Sequence, residues 1–205
     1  MSDIAFFINF GDNKKFIDMS IAAKEALDKI KVGNEQYVED KEHVGTDKKI
    51  RESLIAGQDP YAIVLSCADS RVVPESIFDA NAGELFVLRV AGNIANTSTI
   101  ASIEYAVAHL GTKLIIVLGH ESCGAVTAAL AGGDNGYNLN HLCSHIVPAI
   151  AASESSEVND VVRMNAKLTC KDLVSRSEII ANAVNNGLEI VPAFYNLSNG
   201  KVDIL

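Results

Sequence analysis

The chain has no apolar run long enough to cross a bilayer. Its longest apolar stretches, such as Leu114 to Leu118, have the length of core strands, whereas a spanning helix needs about 20 residues. The short apolar segment Ala5-Phe6-Phe7-Ile8 follows Asp3 rather than a basic start, so no signal peptide is read there and a cytoplasmic location is expected. Positive charge is also scarce. With 17 basic residues against 26 acidic ones, the formal charge is -9. No broad basic field exists to attract nucleic acid or a membrane surface, and a small diffusing substrate suits this balance better. Cysteine is sparse, and the 4 present in 205 residues do not make a disulfide framework. Internal repeats, low-complexity tracts and linkers are absent.

What remains is an ordinary globular composition. The 48% apolar and 21% charged residues suffice for one domain with a sizeable core. Residues 1–57 read mostly as helix, with Ala22, Ala23, Ala26, Leu27 and Ile30 at helical spacing and Gly33 as a stop. Tyr61 to Ser66, Leu85 to Val90, Leu114 to Leu118 and Leu188 to Tyr195 read as strands. Helical patterns separate them at 97–110, 123–131 and 158–174. Runs apolar on both faces and divided by helices indicate a parallel sheet covered on both sides. Ser175-Arg-Ser-Glu178 reads as a capping box. Asn199-Gly200 reads as a type I′ turn into an antiparallel edge strand at 201–205. The expected fold is α/β: a mostly parallel four-stranded sheet with an antiparallel edge strand, helices on both faces and an N-terminal helical arm. The arm (1–57) and the α/β core (58–205) are expected to form a single domain.

Two predicted loops carry reactive side chains. The first strand runs into Cys67-Ala-Asp69-Ser70-Arg71, the third into Gly119-His120-Glu121-Ser122-Cys123-Gly124. Open α/β sheets place their sites at such carboxyl ends. Cys67, His120 and Cys123 make a three-ligand zinc set, and three protein ligands leave one position for water, as in catalytic zinc sites. Cys123 opens a predicted helix, whose amino end favours a thiolate. Arg71 is placed to hold Asp69 in a charge-assisted pair, which would keep that carboxylate off the metal and leave it to orient the water. Two thiolates offset the zinc charge, so the bound water should titrate somewhat above the value of about 7 known for an all-His site.

These two motifs resemble the paired signatures of β-class carbonic anhydrases. The second extends back through Glu104-Tyr-Ala-Val107, and the similarity also takes in Gly57-Gln58-Asp-Pro60, Phe86-Val87, Ala91-Gly-Asn93 and Ala193-Phe-Tyr195. The resemblance implies reversible hydration of CO2 to bicarbonate and a proton, by zinc hydroxide attacking carbon, in a homodimer or homotetramer. It assigns substrate contacts to Gln58, Phe86, Tyr105 and Gly124, with the first three contributed by the neighbouring subunit, as in the open-site subgroup. Another subgroup uses a Trp on the first strand for an inhibitory bicarbonate pocket. This chain has no Trp, and Val64 stands at that position. Ala91 departs from the open-site pattern, where a larger apolar residue is usual.

Other readings of the same residues are an enzyme hydrolysing carbonyl sulfide or carbon disulfide, a non-catalytic zinc protein responding to bicarbonate, and a redox protein using Cys67 and Cys123. His141 and His145, four apart with Cys143 between them, read as a solvated helix face rather than a second metal site. Cys143 and Cys170 read as free thiols.

Overall fold

The computed structural model describes residues 21–41 and 43–205. The apolar run at residues 5–8 and the first part of the expected arm lie outside the described residues. The remainder of the arm supplies helices α1 (Ala23–Val38) and α2 (Lys48–Ser53). Strand β1 (Ala62–Ser66) follows, then α3 (Pro74–Ile77), β2 (Leu85–Arg89) and a 3-10 turn at Ala91–Asn93. Next come α4 (Thr97–His109), β3 (Leu114–His120), α5 (Gly124–Ala131), α6 (Tyr137–Ser144) and α7 (Val147–Ala152). The chain ends with α8 (Val158–Arg176), α9 (Glu178–Val184), β4 (Glu189–Tyr195) and β5 (Val202–Ile204).

The sheet order is β2-β1-β3-β4-β5. The first four strands run parallel and β5 pairs antiparallel to β4. Alternation along the strands sorts the core into two layers, because successive side chains leave a strand on opposite faces. Ala62, Val64, Leu114, Ile116 and Leu118 pack with Ile30 of α1 and Ile77 of α3 on one face. Ile63, Leu65, Ile115 and Val117 pack with Ile103 of α4, Leu173 of α8 and Ile180 of α9 on the other. A third cluster, with Val126, Ile146 and Val162, gathers around Cys67 and Cys123.

Three local expectations are corrected. Gly33 does not stop α1, which continues to Val38. Gly33 is buried, and a Cβ built there would lie 1.9 Å from the Phe78 carbonyl oxygen, so the glycine permits close approach of helix to chain rather than ending the helix. The helix stops where Asp40 turns left-handed. The cap of α9 is Ser177, not Ser175, because α8 runs on to Arg176. Ser177 Oγ accepts from the Ile180 N–H at 3.1 Å and donates to Glu104 at 2.6 Å. The β4–β5 connection is not a type I′ turn, which needs two left-handed residues. Gly200 is left-handed (φ 75°) and Asn199 is not; strand pairing resumes only at Tyr195 with Val202, so residues 196–201 form a longer loop.

Asn34 ties α1 to both ends of the core. Its amide donates to the carbonyls of Ile77 (3.2 Å) and Gly200 (2.9 Å), and its oxygen accepts from the Val202 N–H at 2.8 Å. The seating of α1 therefore depends on contact at Gly33. Gly33→Ala improves helix propensity by about 1 kcal/mol yet is expected to destabilise the fold by about 1–3 kcal/mol through overpacking. Chemical denaturation checks this, and a variant as stable as the parent would show that α1 is not pinned against Phe78.

Candidate metal centre

β1 and β3 are buried along their whole length. From β1 the chain leaves toward β2 on one side, and from β3 toward β4 on the other. Such a reversal opens a crevice beyond the carboxyl ends of the two strands. The register pairs Ser66 with Leu118, so Cys67, one residue past β1, and His120, the last residue of β3, emerge side by side. A turn later Cys123 occupies the position just before α5.

The donor atoms of Cys67, His120 and Cys123 lie within 4.8 Å of one another, and all three residues are buried. No other such group of three or more occurs among the described residues; the His141 and His145 rings sit edge to face with centroids 5.2 Å apart. The two sulfurs are 4.0 Å apart. That is about twice the S–S bond length of about 2.05 Å, and close to the roughly 3.8 Å between two thiolates on a tetrahedral zinc with bonds of about 2.3 Å. His120 Nδ1 lies 2.9 Å from the Glu121 carbonyl oxygen. A carbonyl only accepts, so Nδ1 carries the proton and the Nε2 lone pair faces the sulfurs. Nε2 is buried with no hydrogen-bond partner, which ordinarily costs about 1–3 kcal/mol. A cation bound between these atoms removes that cost, and the donor set suits zinc.

The two thiols are shifted in opposite directions. The Cys67 thiol is pushed down, chiefly by the hydrogen bond from Cys123, with burial opposing and the Gly92 N–H adding. The Cys123 thiol is pushed up, by that same bond first and then by burial, while the free N–H groups of Val126 and Ala125 at the start of α5 act the other way. A metal ligand must be deprotonated, so binding of a cation by these two thiols would release their protons.

Asp69 stands beside this trio and outside it. Its Oδ1 accepts from Arg71 Nε (2.9 Å) and the Arg71 N–H (3.0 Å), and its Oδ2 accepts from Nη2 at 2.8 Å. The hydrogen-bonded Arg71 guanidinium holds the Asp69 carboxyl well below the usual carboxylate range, against a smaller opposing effect of burial. Oδ2 lies 3.9 Å from His120 Nε2, a gap that faces the donor trio without closing on it.

The backbone that carries these groups is fastened by residues the sequence motifs do not single out. Arg89, the last residue of β2, donates to the carbonyls of Cys67 (3.2 Å) and Asp69 (2.6 Å). Ser122, between two of the donors, is left-handed at φ 56°, and its N–H donates to Asn159 Oδ1 at 2.9 Å. Glu121 accepts from the Ser198 N–H and donates its own N–H to the Tyr195 carbonyl. Local spacing cannot reveal partners 20 to 77 positions away.

The residues expected to contact substrate are scattered. Gly124, the first residue of α5, adjoins Cys123, and a Cβ built on it would meet open space. Gln58 is exposed and precedes β1 at the amino end of the sheet, about 17 Å of strand away from Cys67. Phe86 lies opposite Ile63 in mid-strand, and its ring is 6.3 Å from that of Tyr105, which is 49% exposed. One chain therefore brings together Cys67, His120, Cys123, Asp69, Arg71 and Gly124, and leaves Gln58 on the far end.

Comparison with known proteins agrees with this geometry. The family model for carbonic anhydrase matches residues 62–202. Carbonic anhydrase 2 of Mycobacterium tuberculosis is 38% identical over 190 residues, 88% of this chain and 90% of that protein. The carbonic anhydrase of Pseudomonas aeruginosa is 33% identical over 179 residues, 75% of this chain and 77% of that protein. Among solved structures, a tetrameric β-carbonic anhydrase of Sordaria macrospora superposes with a TM-score of 0.71 at 28% identity, covering 78% of this chain and 87% of that one. A β-carbonic anhydrase of Aspergillus fumigatus gives 0.70 at 26% identity, covering 89% of each.

The trio is expected to bind one zinc per chain. Cys67→Ser, His120→Ala and Cys123→Ser should each lose most of it by metal analysis of the purified protein. Full zinc in any one of them would remove that residue from the ligand set.

Proposed function

We propose how this chain, which belongs to the β-class carbonic anhydrase family, performs the reversible hydration of CO2 to bicarbonate and a proton. Zinc held by Cys67, His120 and Cys123 supplies the Lewis acidity that makes water a nucleophile near neutral pH. The observation that carries the catalytic reading is the placement of Asp69. A purely structural metal has no use for a carboxylate held 3.9 Å from a donor nitrogen by a two-pronged arginine. Arg71 occupies both oxygens from one side, so the remaining lone pair of Oδ2 is left to accept a hydrogen bond from the attacking water and aim it at the carbon. Because the carboxyl is held well below its usual range, Asp69 stays an acceptor across the working pH range. Hydrolysis of carbonyl sulfide or carbon disulfide needs the same groups, and no observation favours it over CO2.

The position of Gln58 supports a site shared between two chains. We assign Gln58, Phe86 and Tyr105 to the pocket of a neighbouring protomer, and Gly124 to the protomer that holds the metal. The minimum unit is then a homodimer, which can pair into a homotetramer; the Sordaria relative is tetrameric. Described residues contain no helix long and apolar enough to cross a membrane. Cys143 and Cys170, which lie outside the metal trio, are free thiols and suit a reducing compartment, so we place the protein in the cytoplasm.

Two experiments test these assignments. Arg71→Ala should lower CO2 hydration by more than tenfold in stopped-flow assays with zinc content unchanged, since the released carboxylate is free to turn onto the metal. The ion pair also contributes stability that is present above the ordinary Asp value of 3.8 and fades as acid titrates the folded carboxylate. The stability gap between parent and Arg71→Ala should therefore be open at pH 6 and close in strong acid. Unchanged activity in Arg71→Ala would remove Asp69 from the mechanism. For the shared site, Cys67→Ser and the double variant Gln58→Ala with Tyr105→Ala should each be inactive. Verified heterodimers of the two should regain part of the activity, because one half-site then has both its zinc ligands and intact wall residues. No recovery in such heterodimers would rule out sharing.

A further inference from the structure

The core stripe of α8 contains a polar residue where an apolar one is expected. Val161, Asn165, Thr169 and Leu173 follow one another at four-residue spacing, and all are buried, with Asn165 only 2% exposed. A buried amide is retained at cost unless it is hydrogen-bonded. Asn165 Nδ2 donates to the Gly92 carbonyl at 2.8 Å, across 73 positions of sequence. The nitrogen must be the atom facing that carbonyl, since two oxygens would repel.

Gly92 lies in the 3-10 turn after β2, and the turn is unusual in its backbone. Gly92 (φ 71°) and Asn93 (φ 44°) are both left-handed in succession. A Cβ on Gly92 would come within 2.8 Å of Ile146 and 3.3 Å of Ala125, so the turn is wedged between α5 and the chain entering α7. Its conformation directs the Gly92 N–H at Cys67 Sγ, 3.4 Å away. A carbonyl and an N–H of the same residue are thereby used in opposite directions, one toward α8 and one toward a metal donor.

We infer that Asn165 is a positioning residue of the metal centre: it anchors the Gly92 turn so that the Gly92 N–H donates to Cys67 Sγ. This inference rests on the metal site assigned above and goes beyond its ligands. An N–H donated to a thiolate draws electron density from the sulfur and fixes its direction. The sulfur then gives less charge to the metal, and the metal remains a stronger Lewis acid. Loss of partners that orient metal ligands commonly costs about 10–100-fold in affinity or activity.

The test uses cadmium-113 and cobalt(II) in place of zinc in the full-length protein. NMR of the cadmium form should show a through-bond coupling between the Gly92 amide proton and the metal, carried by the N–H···S contact. Asn165→Leu keeps the size and removes the donor. It should weaken or abolish that coupling, move the sulfur-to-cobalt charge-transfer band to longer wavelength, and speed metal loss to a chelator by about tenfold or more. Thr169→Val, one turn along the same stripe, should leave the band and the release rate at parental values. If Asn165→Leu does not fold, Asn165→Ser carries the same readouts. A folded Asn165 variant with unchanged coupling, band and release rate would overturn the inference, as would a cadmium-loaded parent without the coupling or a Thr169→Val that shifts equally. Protein that takes up neither metal would overturn the metal site itself, and this inference with it.

Discussion

His120 presents a buried nitrogen with nothing to bond, facing two buried sulfurs. A buried nitrogen without a partner ordinarily costs about 1–3 kcal/mol. Much of the local architecture exists to keep it in place. The Glu121 carbonyl fixes the imidazole tautomer, the Gly92 N–H approaches one sulfur, and the first N–H groups of α5 approach the other. Beside these donors, Arg71 holds Asp69 with three hydrogen bonds.

Strand register and backbone strain do the positioning together. Parallel pairing of β1 with β3 sets Cys67 and His120 side by side with little freedom, because the side chains of both strands are close-packed into a core layer on each face of the sheet. Beyond the strand ends the chain has to reverse within a few residues, and it does so through left-handed backbone at Ser122, Gly92 and Asn93. Such conformations persist when neighbouring contacts over-determine them. Asn159 and Asn165 supply those contacts from α8, which packs against both β3 and β4. The longest helix of the described chain thus braces the site from behind while burying its own apolar stripe.

A single protomer assembles the reactive half of the centre and leaves its expected walls elsewhere. Gln58 lies at the amino end of the sheet and the metal donors at the carboxyl end, so no side-chain motion brings them together within one chain. Phe86 and the half-exposed Tyr105 form a ring pair away from the donors.

Much of this was legible in the sequence. Two apolar runs ending in Cys67-Ala-Asp-Ser-Arg71 and Gly119-His120-Glu-Ser-Cys123 specify strands, their burial and the donors at their ends, since local pattern and residue chemistry are written in consecutive positions. Glycine and cap residues were less legible. Gly33 looks like a helix stop and is instead a point of contact with Phe78, and Ser177 rather than Ser175 caps α9, because packing from distant segments decides which local option is used. Asn165 was not legible at all. Within α8 it is one of two polar residues, with Thr169, in a buried stripe, and its meaning comes from a carbonyl 73 positions earlier. Sequence determined which atoms could bind metal; only the folding of β1, β3, the Gly92 turn and α8 onto one another decided how those atoms are held, because the holding contacts join residues that are neighbours in space alone.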